Sequence, residues 1–82
     1  MYSVEFTEGA EKQFSKLPEE TKKRIIAVLD RIKIRPYHFV KPLIGSNYFR
    51  LRIGDYRAIL EIKNEKLLIL VLEIGHRRNI YK

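Results

Sequence analysis

Three arginines, Arg50, Arg52 and Arg57, flank the Gly54-Asp55 pair in residues 48–62, which read Tyr-Phe-Arg-Leu-Arg-Ile-Gly-Asp-Tyr-Arg-Ala-Ile-Leu-Glu-Ile. A guanidinium is planar and stays protonated at any workable pH, and its fork of N–H donors matches two phosphate oxygens at once. Arginines held close together therefore suit a phosphate anion, or the negative charge that builds on a phosphoryl group as it reacts. The chain closes with Gly-His-Arg-Arg-Asn-Ile-Tyr-Lys, which adds the cation Arg77, the phenol Tyr81 and the imidazole His76. Unperturbed imidazole titrates near pH ~6.5, which fits a proton-transfer role. Each residue also has a plainer reading. In a chain with 17 Lys+Arg among 82 residues, positive charge falls on many solvated faces. His76 reads equally as a surface histidine in a basic tail, Glu61 as local charge balance, and His38 as a structural or solvent-facing side chain.

The element that must position the arginines is a β-hairpin. Apolar and polar residues alternate strictly on both sides of Gly54-Asp55, and glycine as the first residue of a two-residue loop suits a type II′ turn. If Ile53 and Tyr56 close the loop, Arg52 lies opposite Arg57, Leu51 opposite Ala58, Arg50 opposite Ile59 and Phe49 opposite Leu60. One face then carries Phe49, Leu51, Ile53, Tyr56, Ala58, Leu60 and Ile62; the other carries Tyr48, Arg50, Arg52, Arg57, Ile59 and Glu61. Like charges directly opposed across strands destabilise, where an opposite-charge or apolar pair contributes roughly 0.2–1 kcal/mol. An anion between Arg52 and Arg57 would relieve that repulsion. Strands also hold a guanidinium in place better than a tail does.

Composition bounds the rest. Eighty-two residues make one domain, residues 1–82, near the lower size at which a core alone holds a fold. Without cysteine, disulfides and thiolate metal sites are excluded. No signal-like N-terminal series and no apolar run near the roughly 18 residues of a membrane span occurs, so a soluble, cytoplasmic protein is expected. Formal charge is +7, and it is uneven: residues 1–40 carry 8 basic and 6 acidic side chains, residues 41–82 carry 9 and 4. The basic excess travels with the hairpin and tail, which favours a polyanion such as nucleic acid, or an acidic protein, as partner.

In chain order, residues 2–6 alternate as a short strand, and Thr7 caps a helix whose Ala10, Phe14 and Leu17 form one stripe. Pro18 suits the first position of a second helix, followed by Glu19 and Glu20 at its positive end and by the stripe Ile25, Val28, Leu29 and Ile32. Pro36 ends that helix. In the loop 36–47, Tyr37, His38 and Phe39 either stack on nucleobases or cover the edge of a small core. Residues 63–66 form a polar turn, and residues 67–72, apolar at every position, suit a strand covered on both faces. Pairing Ile62 with Leu67 would set Leu68, Leu70 and Leu72 on the arginine face. That requires either a bulge that flips part of the strand or another chain covering the leucines. The expected order is β-α-α-β-β-β, a helical hairpin packed on an antiparallel sheet in a two-layer α+β domain.

This order, the Tyr-Phe-Arg-Leu-Arg-Ile-Gly-Asp-Tyr-Arg stretch and the closing Ile-Gly-His-Arg-Arg-Asn-Ile-Tyr resemble the RelE/ParE superfamily of toxin–antitoxin toxins over nearly the whole chain. The resemblance implies a microbial-ribonuclease-like fold. For the RelE-like branch it implies ribosome-dependent cleavage of mRNA in the A site, with no metal or other cofactor. There the 2′-OH attacks the adjacent phosphate, so the protein must take a proton, stabilise a crowded anion and help the 5′-oxygen leave. By the same resemblance Arg50 and Arg52 match two basic strand positions that are commonly lysines, Arg57 the arginine of the Tyr-Arg motif, Arg77 the basic residue after the last strand, and Tyr81 the terminal tyrosine, as base or as stacking platform. The departure is at the base. Arginine does not give up its proton where a lysine can, so another group must serve, and His76, beside Arg77 in the matching segment, is the candidate. The resemblance also implies a RelB-like antitoxin, whose acidic amphipathic segment would cover the basic face and the stray leucines. Two other functions fit the same residues: a ParE-like inhibitor of a type II topoisomerase without ribonuclease chemistry, and a plain nucleic-acid-binding module.

Overall fold

The computed structural model describes residues 1–76; Arg77 and Tyr81 lie outside the described residues. Strand β1 (Ser3–Phe6) leads into helix α1 (Glu8–Ser15), then helix α2 (Glu19–Ile32). Four more strands follow: β2 (Val40–Pro42), β3 (Phe49–Ile53), β4 (Tyr56–Lys63) and β5 (Leu68–His76). The sheet order is β1-β5-β4-β3-β2. Strands β2 to β5 run antiparallel to their neighbours, and β1 joins β5 in parallel. The expected α+β fold of two helices on a sheet holds, with two additions. The sheet is mixed, because the helices carry the chain from β1 to the far edge before the meander returns to it, and loop 36–47 contributes the short edge strand β2.

The local signals act as their chemistry requires. Thr7 Oγ1 accepts from Ala10 N at 3.1 Å and caps α1, a bond whose loss typically costs about 1 kcal/mol. Pro18 is the N-cap of α2, one position earlier than the sequence suggests, so Glu19 and Glu20 open the helix. The two helical stripes meet the apolar hairpin face. Ala10, Ile25, Leu29 and Ile32 pack with Leu51, Ile53, Ala58, Leu60, Ile69, Val71 and Ile74, and Phe14, Leu17 and Val28 border them. At roughly 1.5–3 kcal/mol for each large apolar side chain buried, this single layer is the main stabilising contribution.

The final hairpin corrects one register. Ile62 pairs with Ile69, not Leu67, because a 3-10 turn at Asn64–Lys66 ends on Leu67 with φ +49 and lengthens the connection. Leu60 then pairs with Val71 but Ile59 with Glu73, so Leu72 is an extra residue, a β-bulge. Before it Ile69 and Val71 face the helices; after it Ile74 does. Leu68 and Leu70 remain half-buried on the opposite face. Helix α1 supplies the hydrogen bonds that β1 is too short to make here. Thr7 Oγ1 donates to Leu72 O at 3.3 Å, and Gln13 Oε1 accepts from Ile74 N at 2.9 Å.

Candidate functional site

Gly54 has φ +60, and Asp55 is not among the positive-φ residues, as a type II′ turn requires. The hairpin register is the one the turn predicts: Ile53 pairs with Tyr56, Arg52 with Arg57, Leu51 with Ala58, Arg50 with Ile59 and Phe49 with Leu60. Arg52 and Arg57 therefore share the face turned away from the helices. Arg52 is exposed and Arg57 half-buried, with its Nη1 shut off from solvent. Arg52 Nε lies 3.5 Å from Gly54 O, at the outer limit of a hydrogen bond.

Strand pairing lays this face out as a grid. Lys41 pairs with Arg50, Arg50 with Ile59 and Ile59 with Glu73, which makes one row across β2 to β5. The neighbouring row is Arg52, Arg57 and Gly75. Adjacent positions in a row are about 5 Å apart, and the two rows about 7 Å. Phe39, Lys41, Arg50, Arg52 and Arg57 line a concavity of about 160 Å³, the volume of roughly five waters. That is room for a phosphodiester group, and four of its five lining residues are cations. A larger hollow of about 540 Å³ lies on the helix side, lined by Glu20, Thr21, Lys23, Arg24, Asp55 and Tyr56. It mixes both signs of charge and is on the wrong side of the sheet for the arginines.

Of the residues the sequence singles out, Arg50, Arg52 and Arg57 come together, and Glu61 shares their face across from Leu70. His76 does not join them. It pairs with Tyr56, and the two rings meet edge to face at 5.7 Å, so it stands on the side of Ala58 and Ile74. The bulge at Leu72 is the cause, since one extra residue moves every later side chain to the other face. Sequence reasoning missed two residues that the grid includes, Lys41 and Glu73; Phe39, read from the sequence as either a stacking ring or a cover for the core edge, lines the concavity. Lys41 and Phe39 fall in a stretch that reads as loop, although Phe39-Val-Lys41 alternates; nothing local marks Glu73.

Residues 4–81 match the family model for the ParE toxin of type II toxin–antitoxin systems, parDE. The chain belongs to that family. It is a toxin of a toxin–antitoxin system within the RelE/ParE superfamily, related to the RelE mRNA interferases. Toxin RelG of Mycobacterium tuberculosis is 29% identical over 84 residues, covering 99% of this chain and 97% of its own. The mRNA interferase toxin RelE of Escherichia coli is 28% identical over 80 residues, covering 93% and 83%. Among solved structures, the toxin–antitoxin complex RelBE from Mycobacterium tuberculosis matches with TM-score 0.86 and 28% identity, over 93% of this chain and 98% of that one.

Proposed function

We propose that this toxin is an endoribonuclease that cuts mRNA on the ribosome and so inhibits translation in the cytoplasm. The observation that carries the proposal is the row pairing of Arg52 with Arg57 beside Arg50 and Lys41, a rigid cationic cradle of phosphate size. The names of the relatives as mRNA interferases support it. In the reaction a base takes the proton of the 2′-OH, the 2′-oxygen attacks the neighbouring phosphorus, the bond to the 5′-oxygen breaks, and that oxygen leaves with a proton. Arg50, Arg52 and Arg57 hold the non-bridging oxygens as charge builds on them; Arg77 and Tyr81 take the roles the resemblance gives them. The base is a group on this face that can change protonation state. Lys41 and Glu73 meet that requirement, whereas His76 is on the other side of the sheet. A RelB-like antitoxin, as in the RelBE complex, would silence the toxin by covering the cradle.

The test is primer extension on mRNA from translating ribosomes treated with wild type, Arg52→Ala or Arg57→Ala. Cuts at A-site codons that fall by about 10²–10³-fold in the variants are expected. Intact message with wild type, while an active RelE cuts in parallel, removes the proposal. The match to the ParE toxin model favours a second reading, inhibition of a type II topoisomerase by binding. A supercoiling assay separates the two.

A further inference from the structure

The three consecutive aromatic residues of loop 36–47 have different surroundings. Tyr37 packs edge to face on Phe49 at 5.5 Å, and its hydroxyl donates to Asn64 Oδ1 at 2.9 Å, so it closes the edge of the fold. Phe39 is not among the residues packed on the core. The residue is 43% exposed and lines the arginine concavity. The backbone fixes it there: Phe39 N donates to Pro36 O at 3.1 Å, and the next residue, Val40, is already paired with Leu51 in the sheet. Phe39 itself is the turn residue before that strand, with φ −114 and ψ −12, and it lines the same concavity as Arg52 and Arg57. The concavity thus presents an aromatic ring together with the guanidinium groups of Arg52 and Arg57. A nucleotide has the same composition, a flat base joined to a phosphate. A large apolar ring left half in water beside four cations contributes little to folding, but every nucleobase has a face that stacks on it.

We infer that Phe39 is the platform on which a nucleobase of the RNA stacks while Arg52 and Arg57 hold that nucleotide's phosphate. The inference rests on the RNA reading of this face and adds a substrate-binding residue to it. Stacking is sequence-tolerant, so Phe39 sets the position of the strand and favours purines, whose faces are larger, without reading base edges.

The test uses the full-length toxin and a short single-stranded RNA with 2-aminopurine beside a linkage whose 2′-OH is replaced by hydrogen, so that it binds without being cut. Fluorescence quenching reports stacking, and titration reports affinity. Phe39→Leu, similar in size but without a π-face, is expected to lose the quenching and about 10-fold in affinity. Phe39→Trp is expected to keep both. An abasic nucleotide in place of 2-aminopurine should cost the wild type the same factor and cost Phe39→Leu nothing more, as coupled partners require. Equal affinity of Phe39→Leu and wild type, or an equal abasic penalty in both, overturns the inference. Should Phe39→Leu fail to fold, an abasic RNA that binds wild type undiminished overturns it alone. If Arg52→Ala weakens binding while Phe39→Leu does not, the phosphate cradle stands and the platform falls. If the wild type binds with stacking but never cuts on ribosomes, the platform stands and the nuclease reading falls; if it does not bind RNA at all, both fall.

Discussion

Arg52 and Arg57 repel each other across the β3–β4 pair, and removing one charge should move stability and activity in opposite directions. Arg52 is exposed, so Arg52→Gln is expected to raise folding stability by roughly 0.2–1 kcal/mol while lowering mRNA cleavage by about 10²-fold or more. Paired denaturation curves and cleavage assays check both signs; a variant that loses stability as well would mean the pair is not in conflict. The placement of His76 beside Tyr56 gives a second expectation. His76→Gln should cut mRNA within about 2-fold of wild type, whereas Lys41→Ala or Glu73→Gln should fall by about 10²-fold if that residue takes the proton. A collapse in rate with His76→Gln and none with the other two would return the base to the imidazole. The arginines were legible as a pair because a two-residue turn and a period of two fix which residues face each other.

At the scale of elements, the site depends on a bulge and on a three-residue edge strand. The bulge residue Leu72 sits between Val71, paired with Leu60, and Glu73, paired with Ile59. Deleting it joins two residues that already occupy correct faces. The deletion variant is therefore expected to fold cooperatively, with a loss no greater than about 2 kcal/mol, chiefly the Thr7 contact to Leu72 O. A urea titration checks this; loss of cooperative unfolding in the variant would mean that Leu72 is not a surplus residue in β5. Gln13→Leu removes the acceptor of Ile74 N and leaves a part-buried donor unmet, a cost of about 1–3 kcal/mol. The run Leu-Leu-Ile-Leu-Val-Leu could not announce this bulge, because an all-apolar strand does not mark its faces. Strand β2 was hidden for another reason: three residues, Val40 to Pro42, are too few to show a period.

At the scale of the whole molecule, the layers divide the work. The helices cover one side of the sheet with the core, which leaves the other free to gather charge. Three or four phosphate contacts on that side predict that the logarithm of RNA affinity falls with the logarithm of salt at a slope of about −2 to −3, and that Arg52→Ala makes it shallower by about 0.7. Titrations at several salt concentrations check this; a flat response would exclude a phosphate-binding face. Among the described residues no helix is long and apolar enough to cross a membrane. From the sequence alone came the two helices, with the Thr7 cap on the first, the hairpin with its register, the segregation of apolar from arginine-bearing face and the two-layer class, all consequences of interactions between residues near in the chain. Tertiary structure decided the rest: the parallel seat of β1 beside β5, the Leu72 bulge that carries His76 to the helix side, and the arrival of Phe39 and Lys41 beside arginines nine or more positions away. Those depend on which strand edges remain unpaired once the meander closes and on which partner satisfies each backbone group. A linear pattern does not encode such a balance locally.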